Sequence, residues 1–272
     1  MVNRVAILAG DGALPLLLSV AMPDAVRVVF RGSSHQFQVD DSICEARFEQ
    51  LGELFKTLKK KGVAKIVLAG SMSRPVLNPH EFDNLMRGVA AQLFEKLRHG
   101  DDALLRFVLE LFDQNGFSII SAAQALPELV TKPGFLTGFE QVYNERDIYK
   151  ADQLLALISS ADIGQAVVVE NGLVLGVETL QGTDRLLQFV AETEPKLRDG
   201  RKMGVLVKRP KKQQDLRVDI PSIGPDTIKA VSKAGLAGIV ISPYKVLLIE
   251  REKMLYLATQ KNIFILAQEP TL

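Results

Sequence analysis

The segment Lys208-Arg209-Pro210-Lys211-Lys212-Gln213-Gln214-Asp215-Leu216-Arg217-Val218-Asp219 gathers five cations, two carboxylates and two amides, with no apolar periodicity before Val218. A buried strand or a stable amphipathic helix is not written this way. An apolar run from Met203 to Val207, which reads as a strand, precedes it, and a helix is expected after it from about Pro225 to Ala234. Cations at a strand end beside carboxylates suit a phosphate ester or anhydride. Lysine and arginine would hold the phosphoryl oxygens, and an aspartate would hold a divalent metal or a water. A solvated surface loop has the same composition, so residue types alone leave both readings open.

Other segments also set polar residues at strand ends. Glu178-Thr179-Leu180-Gln181-Gly182-Thr183-Asp184 runs from a strand end to a helix start. Thr183 or Asp184 reads as a helix cap, which leaves Glu178 and the other of the two for a ligand. Magnesium takes oxygen ligands, typically one or two carboxylates with phosphate and water, and Glu178, Asp184, Asp215 and Asp219 are the pool for it. Lys208 and Lys211 would neutralise the phosphates.

Ala9-Gly10-Asp11-Gly12 lies between the first expected strand and helix. Glycines there turn the chain tightly and bring N–H groups to an anion. The third glycine of a dinucleotide fingerprint is missing and Asp11 would repel a phosphate, so no nicotinamide site is expected, and ordinary turn chemistry explains the same residues. Gly70-Ser71-Met72-Ser73-Arg74-Pro75 follows the third strand in the same way. In a parallel sheet both loops open on one edge, where Ser71, Ser73 and Arg74 would read a polar head group or simply build a turn. His99-Gly100-Asp101-Asp102 precedes a helix that either aspartate would cap.

Composition narrows the function classes. Hydrophobic residues make up 47% and charged residues 24% of the 272, the balance of a globular protein with a real core and room for one large or two ordinary domains. A net charge of +1 argues against bulk binding to nucleic acid. The single cysteine, Cys44, excludes an intramolecular disulfide and a cysteine metal cluster. With no secretion signal, it points to a reducing cytoplasm. His35, His80 and His99 lie far apart, without ligand spacing. No stretch reaches the roughly 20 apolar residues of a spanning helix, so any membrane contact is expected to be peripheral.

The elements that must position these residues follow from periodicity. Strands are expected at Arg4 to Ala9, Ala25 to Phe30, Lys65 to Ala69 and Phe117 to Ile120, with helices from Ala13, at Phe48 to Lys61, Phe82 to Arg98 and Asp101 to Gln114. This alternation implies a parallel sheet, a Rossmann-like domain over residues 1–130. Pro127 to Gly138 carries prolines and glycines with little pattern and marks a linker, placed at 131–143. Residues 144–272 read as a second α/β domain with a mixed sheet. Its strands fall at Ala166 to Glu170, Leu173 to Glu178, Met203 to Val207, Gly238 to Ile241, Val246 to Ile249 and Ile263 to Leu266. Asn171-Gly172 is a hairpin turn between the first two. Its helices are expected at Asn144 to Ser160, near Thr183 to Ala191, from Pro225, and ending at Gln260.

Taken in order, a set of motifs covers nearly the whole chain. They are A-G-x-G-x-L-P at Ala9 to Pro15, A-G-x-x-x-R-P at Ala69 to Pro75 and G-D-D-x-L-L-R at Gly100 to Arg106. D-I-G-Q at Asp162 to Gln165, V-E-x-x-x-G-T-D at Val177 to Asp184 and K-x-P-K-x-x-Q-[DE]-x-R-x-D-[IL]-P-x-I-G at Lys208 to Gly224 complete it. The set resembles the UDP-2,3-diacylglucosamine pyrophosphatases of the lipid A pathway, in the form unrelated to calcineurin-like phosphoesterases.

That resemblance implies a hydrolase that splits the pyrophosphate of a UDP-linked diacylated glucosamine into UMP and the acylated sugar 1-phosphate, with attack on the sugar-side phosphorus. It further implies Mg2+, with Mn2+ as a substitute, two domains enclosing the lipid, a homodimer, and peripheral contact with the cytoplasmic face of the inner membrane. Asp219 matches the family's essential aspartate, as metal ligand or as the group that orients the water. The resulting candidate site has Asp219 as catalytic residue and Asp219, Asp215 and Glu178 as metal ligands. Gly10, Asp11, Gly12, Ser71, Arg74, Thr183, Asp184, Lys208, Lys211, Gln214 and Arg217 would contact substrate. Leucines on the Asp101 to Gln114 helix are candidates for an acyl channel, with ordinary core packing as the alternative. The rival functions are a transferase or a dehydrogenase on a Rossmann-like domain, or a non-catalytic protein that binds an acylated nucleotide sugar.

Overall fold

Runs of aliphatic residues alternating with amphipathic helices fold into two units, Met1–Leu126 and Pro127–Leu272. The structure, a computed structural model, describes residues 4–38, 42–73, 75–98, 101–138, 143, 145–198 and 203–271, without the side chains of residues 101 and 102. Arg74, His99, Gly100 and Asn144 lie outside the described residues.

In the first unit the elements run β1 (Arg4–Ala9), α1 (Leu14–Ala21), β2 (Val26–Phe30), β3 (Ile43–Ala46), α2 (Leu51–Lys60), β4 (Val63–Ala69), α3 (Asn84–Arg98), α4 (Asp101–Gln114), β5 (Ser118–Ile119) and α5 (Ala122–Ala125). The strands pair in the order β3-β2-β1-β4-β5, all parallel, which is the Rossmann-like arrangement. Burial on both faces explains why β1 and β4 read as nearly continuous apolar runs. α2 buries Leu51, Leu54, Phe55 and Leu58, one face of a helix, and ends in Lys59 and Lys60, which suit its dipole. Phe55, Phe112 and Phe117 meet edge-on or tilted within the core. On α4, Leu109 and Leu111 are buried, and Leu104 packs against the core cluster that holds Leu111. Ordinary core packing accounts for these three leucines.

In the second unit the elements are β6 (Gly134–Thr137), α6 (Glu145–Ser160), β7 (Ala166–Glu170), β8 (Leu173–Val177), α7 (Gly182–Ala191), β9 (Val205–Lys208), β10 (Ser222–Ile223), α8 (Pro225–Lys233), β11 (Gly238–Ile241), β12 (Leu247–Leu248), α9 (Arg251–Gln260) and β13 (Phe264–Ala267). The mixed sheet has the order β6-β13-β11-β9-β7-β8. β9, β11 and β13 are parallel, while β6, β7 and β8 each run antiparallel to a neighbour. One face packs Leu206, Ile239 and Ile241 under α7, α8 and α9, and the other packs Val205, Val207 and Val240 under α6. Asn171 and Gly172 both take positive φ, as the tight turn between β7 and β8 requires, and Asp147 accepts both of their N–H groups. The stretch read as a linker is partly structural, since β6 lies within it and pairs with β13. Its prolines and glycines flank a strand that draws its stability from the neighbour rather than from its own propensity.

Candidate active site

The C-terminal ends of β9, β11 and β13 lie along one edge of the second sheet, and antiparallel pairing brings the start of β7 and the end of β8 to that same edge. Ligands of open α/β sheets gather at such an edge. Side chains alternate across a strand, so Lys208 shares the α7 face with Leu206 while Arg209 turns to the α6 face with Val207.

On the α7 face, Lys208 is 6% exposed. Its Nζ donates to Thr183 Oγ1 at 2.9 Å and to the Ser222 carbonyl at 3.0 Å. The Thr183 hydroxyl donates in turn to Glu178 Oε2 at 2.5 Å, and Glu178 is also buried. Burial pushes the Lys208 ammonium below the ordinary lysine value, and Glu178, Asp184 and Asp219 pull it back upward. Neither Thr183 nor Asp184 caps α7: the cap position is Gln181, without a side-chain bond. Thr183 is therefore available to link an ammonium to a carboxylate. Asp184 sits in the helix's first turn, where an anion suits the dipole. A Cβ on Gly164 would lie 2.1 Å from the Glu178 carbonyl, so glycine lets the chain entering β7 pass against the exit of β8.

On the α6 face, Arg209 is a structural anchor. Its guanidinium grips both oxygens of buried Asp152, at 2.9 and 3.2 Å, and also donates to the Gln268 carbonyl. Asp152 Oδ2 further accepts from the backbone and hydroxyl of Thr271. The far end of the charged loop is anchored as well, because β10 pairs with β12 directly after Asp219-Ile220-Pro221. Sequence reading missed Asp152, which is buried in the middle of an ordinary amphipathic helix and gives no local signal.

Between these anchors the charged loop is hydrogen-bonded within itself. Gln214 accepts from the Lys211 N–H at 2.9 Å and donates to Asp219 Oδ2 at 2.6 Å, and the Asp219 N–H bonds the Asp215 carbonyl. Arg217 holds Asp215 in a two-pronged ion pair, with contacts of 2.7 to 3.2 Å. Lys211 reaches Asp162, in the D-I-G-Q segment, at 2.6 Å. Among the described residues no three His, Cys, Asp or Glu side chains converge on one point, so the expected trio of Asp219, Asp215 and Glu178 does not form a protein cage. Asp215 is taken by Arg217 and Glu178 by Thr183. Asp219 is exposed and held by a neutral amide, which suits a cation bound by one carboxylate, phosphate oxygens and water.

The first unit places its own candidates together. β1 and β4 are neighbours at the point where the strand order reverses, and Gly10 and Gly70 end them. Asp11 and Ser71 exchange backbone hydrogen bonds at 2.8 and 3.0 Å. The Gly10 N–H goes to the Ala69 carbonyl and that of Gly12 to Asp11 Oδ1. The N–H groups of Gly10, Asp11, Gly12 and Ser71 are thus engaged within the protein. They do not form the open anion cradle that glycines in this position would allow. Arg74 falls outside the described residues.

Comparison with known proteins agrees with this two-unit arrangement. Residues 4–129 match a family model described as the LpxI N-terminal domain, and residues 132–266 one described as the LpxI C-terminal domain. A protein of Caulobacter vibrioides named UDP-2,3-diacylglucosamine pyrophosphatase LpxI is 36% identical over 281 residues, covering 98% of each chain.

Proposed function

The chain belongs to the LpxI family, and from that membership we propose that it hydrolyses the pyrophosphate bond of UDP-2,3-diacylglucosamine, releasing UMP and 2,3-diacylglucosamine 1-phosphate. The observation that carries the reading is the buried Lys208 ammonium at a sheet edge, surrounded by Glu178, Asp184 and Asp219. A pyrophosphate is already anionic, so water reaches its phosphorus only when that charge is offset. Fixed cations supply the largest part of such catalysis. Lys208 takes a non-bridging oxygen, and Asp219, at the loop turn, would hold the attacking water or a cation beside it. A bound Mg2+, or Mn2+ in its place, would neutralise phosphate oxygens and acidify a water, with Asp219 as its protein ligand. Lys211 sits in a partly exposed ion pair with Asp162, which contributes little, and exchanges that carboxylate for a phosphate oxygen.

The acyl chains of such a substrate are the ground for proposing peripheral contact with the cytoplasmic face of the inner membrane, and the proposed homodimer rests on the family resemblance alone. No described helix is long and apolar enough to cross a membrane.

The test is release of UMP from UDP-2,3-diacylglucosamine in heavy-oxygen water, with magnesium or chelator, by the unaltered chain and by Asp219→Ala. Metal-dependent release that the variant loses, with the label in the sugar phosphate, is the expected result. Label in UMP would move the attack to the other phosphorus. Binding without release would make the protein a binder of acylated nucleotide sugars. Release only with an added acceptor would make it a transferase.

A further inference from the structure

We propose that Glu178 serves the reaction as a positioning residue rather than a metal ligand: through the Thr183 hydroxyl it aims the Lys208 ammonium at a phosphoryl oxygen. This rests on the hydrolase reading above and assigns the division of labour within that site.

An ammonium has three donors and no acceptor, and a hydroxyl has one donor and two lone pairs. Lys208 spends one N–H on Thr183 Oγ1 and one on the Ser222 carbonyl. A third N–H remains in a side chain that is only 6% exposed. A buried donor without an acceptor is costly, and a substrate oxygen would satisfy it. Thr183 has a single proton and gives it to Glu178, which turns the hydroxyl lone pairs toward Lys208. The carboxylate therefore fixes the rotamer of the hydroxyl and favours the protonated form of the lysine beyond it.

Each link sits on a different rigid element. Lys208 ends β9, Glu178 directly follows β8, Thr183 lies in the first turn of α7, and the Ser222 carbonyl belongs to β10, paired with β12. The Gly164 approach against the Glu178 carbonyl holds the β8 exit in place. The other charged groups around Lys208 are Asp184 on α7 and Asp219 on the loop. Glu178 differs from both in being buried and committed to the Thr183 hydroxyl, which leaves it poorly placed to hold a hydrated cation.

The test compares the unaltered chain with Thr183→Val, Thr183→Ser, Glu178→Gln and Asp219→Asn. UMP release is measured across substrate and magnesium concentrations, and the Lys208 side-chain NMR signal is followed in metal-free protein. Thr183→Val is nearly isosteric but strips the buried Lys208 ammonium and Glu178 carboxylate of their shared partner, so its melting temperature should fall while the protein still folds. Its kcat should fall roughly 100-fold with KM within about threefold, the pattern of a misaimed transition-state contact. Thr183→Ser should restore most of kcat. Glu178→Gln should lower kcat while leaving the magnesium midpoint unchanged, and Asp219→Asn should move that midpoint. The Lys208 signal should shift in Thr183→Val and Glu178→Gln without any metal present. A raised magnesium midpoint in Glu178→Gln, with kcat recovered at saturating metal, would make Glu178 a ligand and overturn the proposal. So would an undiminished kcat in Thr183→Val. No UMP release from the unaltered chain would overturn the hydrolase reading as well.

Discussion

Gln214 Nε2 donates to Asp219 Oδ2 at 2.6 Å while the same amide's oxygen accepts the Lys211 N–H at 2.9 Å. The amide is thus oriented from one side by the loop backbone and fixes the carboxylate on the other. Replacing Gln214 with alanine removes this orientation without adding charge. UMP release should drop by roughly tenfold or more, and a change at this partly buried loop residue should leave stability within about 0.5 kcal/mol. Steady-state kinetics beside thermal unfolding would check both. Equal losses of activity and stability would place Gln214 among the structural residues.

The pH dependence follows from Lys208. Burial lowers its pKa from 10.5, with Glu178, Asp184 and Asp219 opposing the shift. If the ammonium binds phosphate, kcat/KM should fall on the alkaline side, along a limb below the ordinary lysine range. Glu178→Gln removes a raising influence and should move that limb further toward acid. The unfolded chain holds this proton more tightly than the folded one. The charged burial therefore costs stability at neutral pH, and stability from this group rises as pH climbs from the folded value toward 10.5. A pH–rate profile of both proteins gives the measurement, and an unshifted limb would remove Lys208 from the reacting state.

Much of this was legible from spacing. Arg4–Ala9, Ala166–Glu170 and Gly238–Ile241 appear as read, because central strands buried on both faces spell themselves as apolar runs. β3 escaped notice, since Ile43–Ala46 is an edge strand with a glutamate and only one buried residue. Residue types in the charged loop identified the right region but not who pairs with whom. Arg209 and Lys208 are neighbours in sequence, yet strand alternation sends one to Asp152 and the other to Thr183. Asp215 and Arg217 read as ligand groups, and the turn between them brings them into contact with each other. No local pattern announces a pairing that the backbone decides.

The Arg209–Asp152 pair roots the loop in the sheet, and both side chains are at least 95% buried. Removing one partner leaves the other charge out of water. Arg209→Met should cost about 3–5 kcal/mol, and the double replacement with Asp152→Leu should cost much less than the sum. Urea unfolding of the single and double variants measures the difference. Asp152 also holds Thr271, so Asp152→Leu should expose the chain beyond Gln268 to carboxypeptidase.

The crossing of the two glycine loops in the first unit makes the last test. A Cβ on Gly10 would fall 2.2 Å from the Ser71 carbonyl oxygen, and one on Gly70 would fall 2.4 Å from that of Asp11, with Gly70 also at φ +86°. These contacts are to backbone, which cannot swing aside as a side chain would. Gly10→Ala and Gly70→Ala should each cost about 1–3 kcal/mol by forcing β1 and β4 apart at their ends. Gly88 provides the control: it lies within α3, and a Cβ there meets nothing within 4 Å. Gly88→Ala should stabilise by about 0.5–1 kcal/mol through helix propensity alone. Thermal unfolding of the three variants separates the explanations. If Gly10→Ala behaves like Gly88→Ala, the loops are not held together by the Asp11–Ser71 bridge. If it is destabilised and amide exchange at Asp11 and Ser71 quickens, the glycines are there to let two backbones touch.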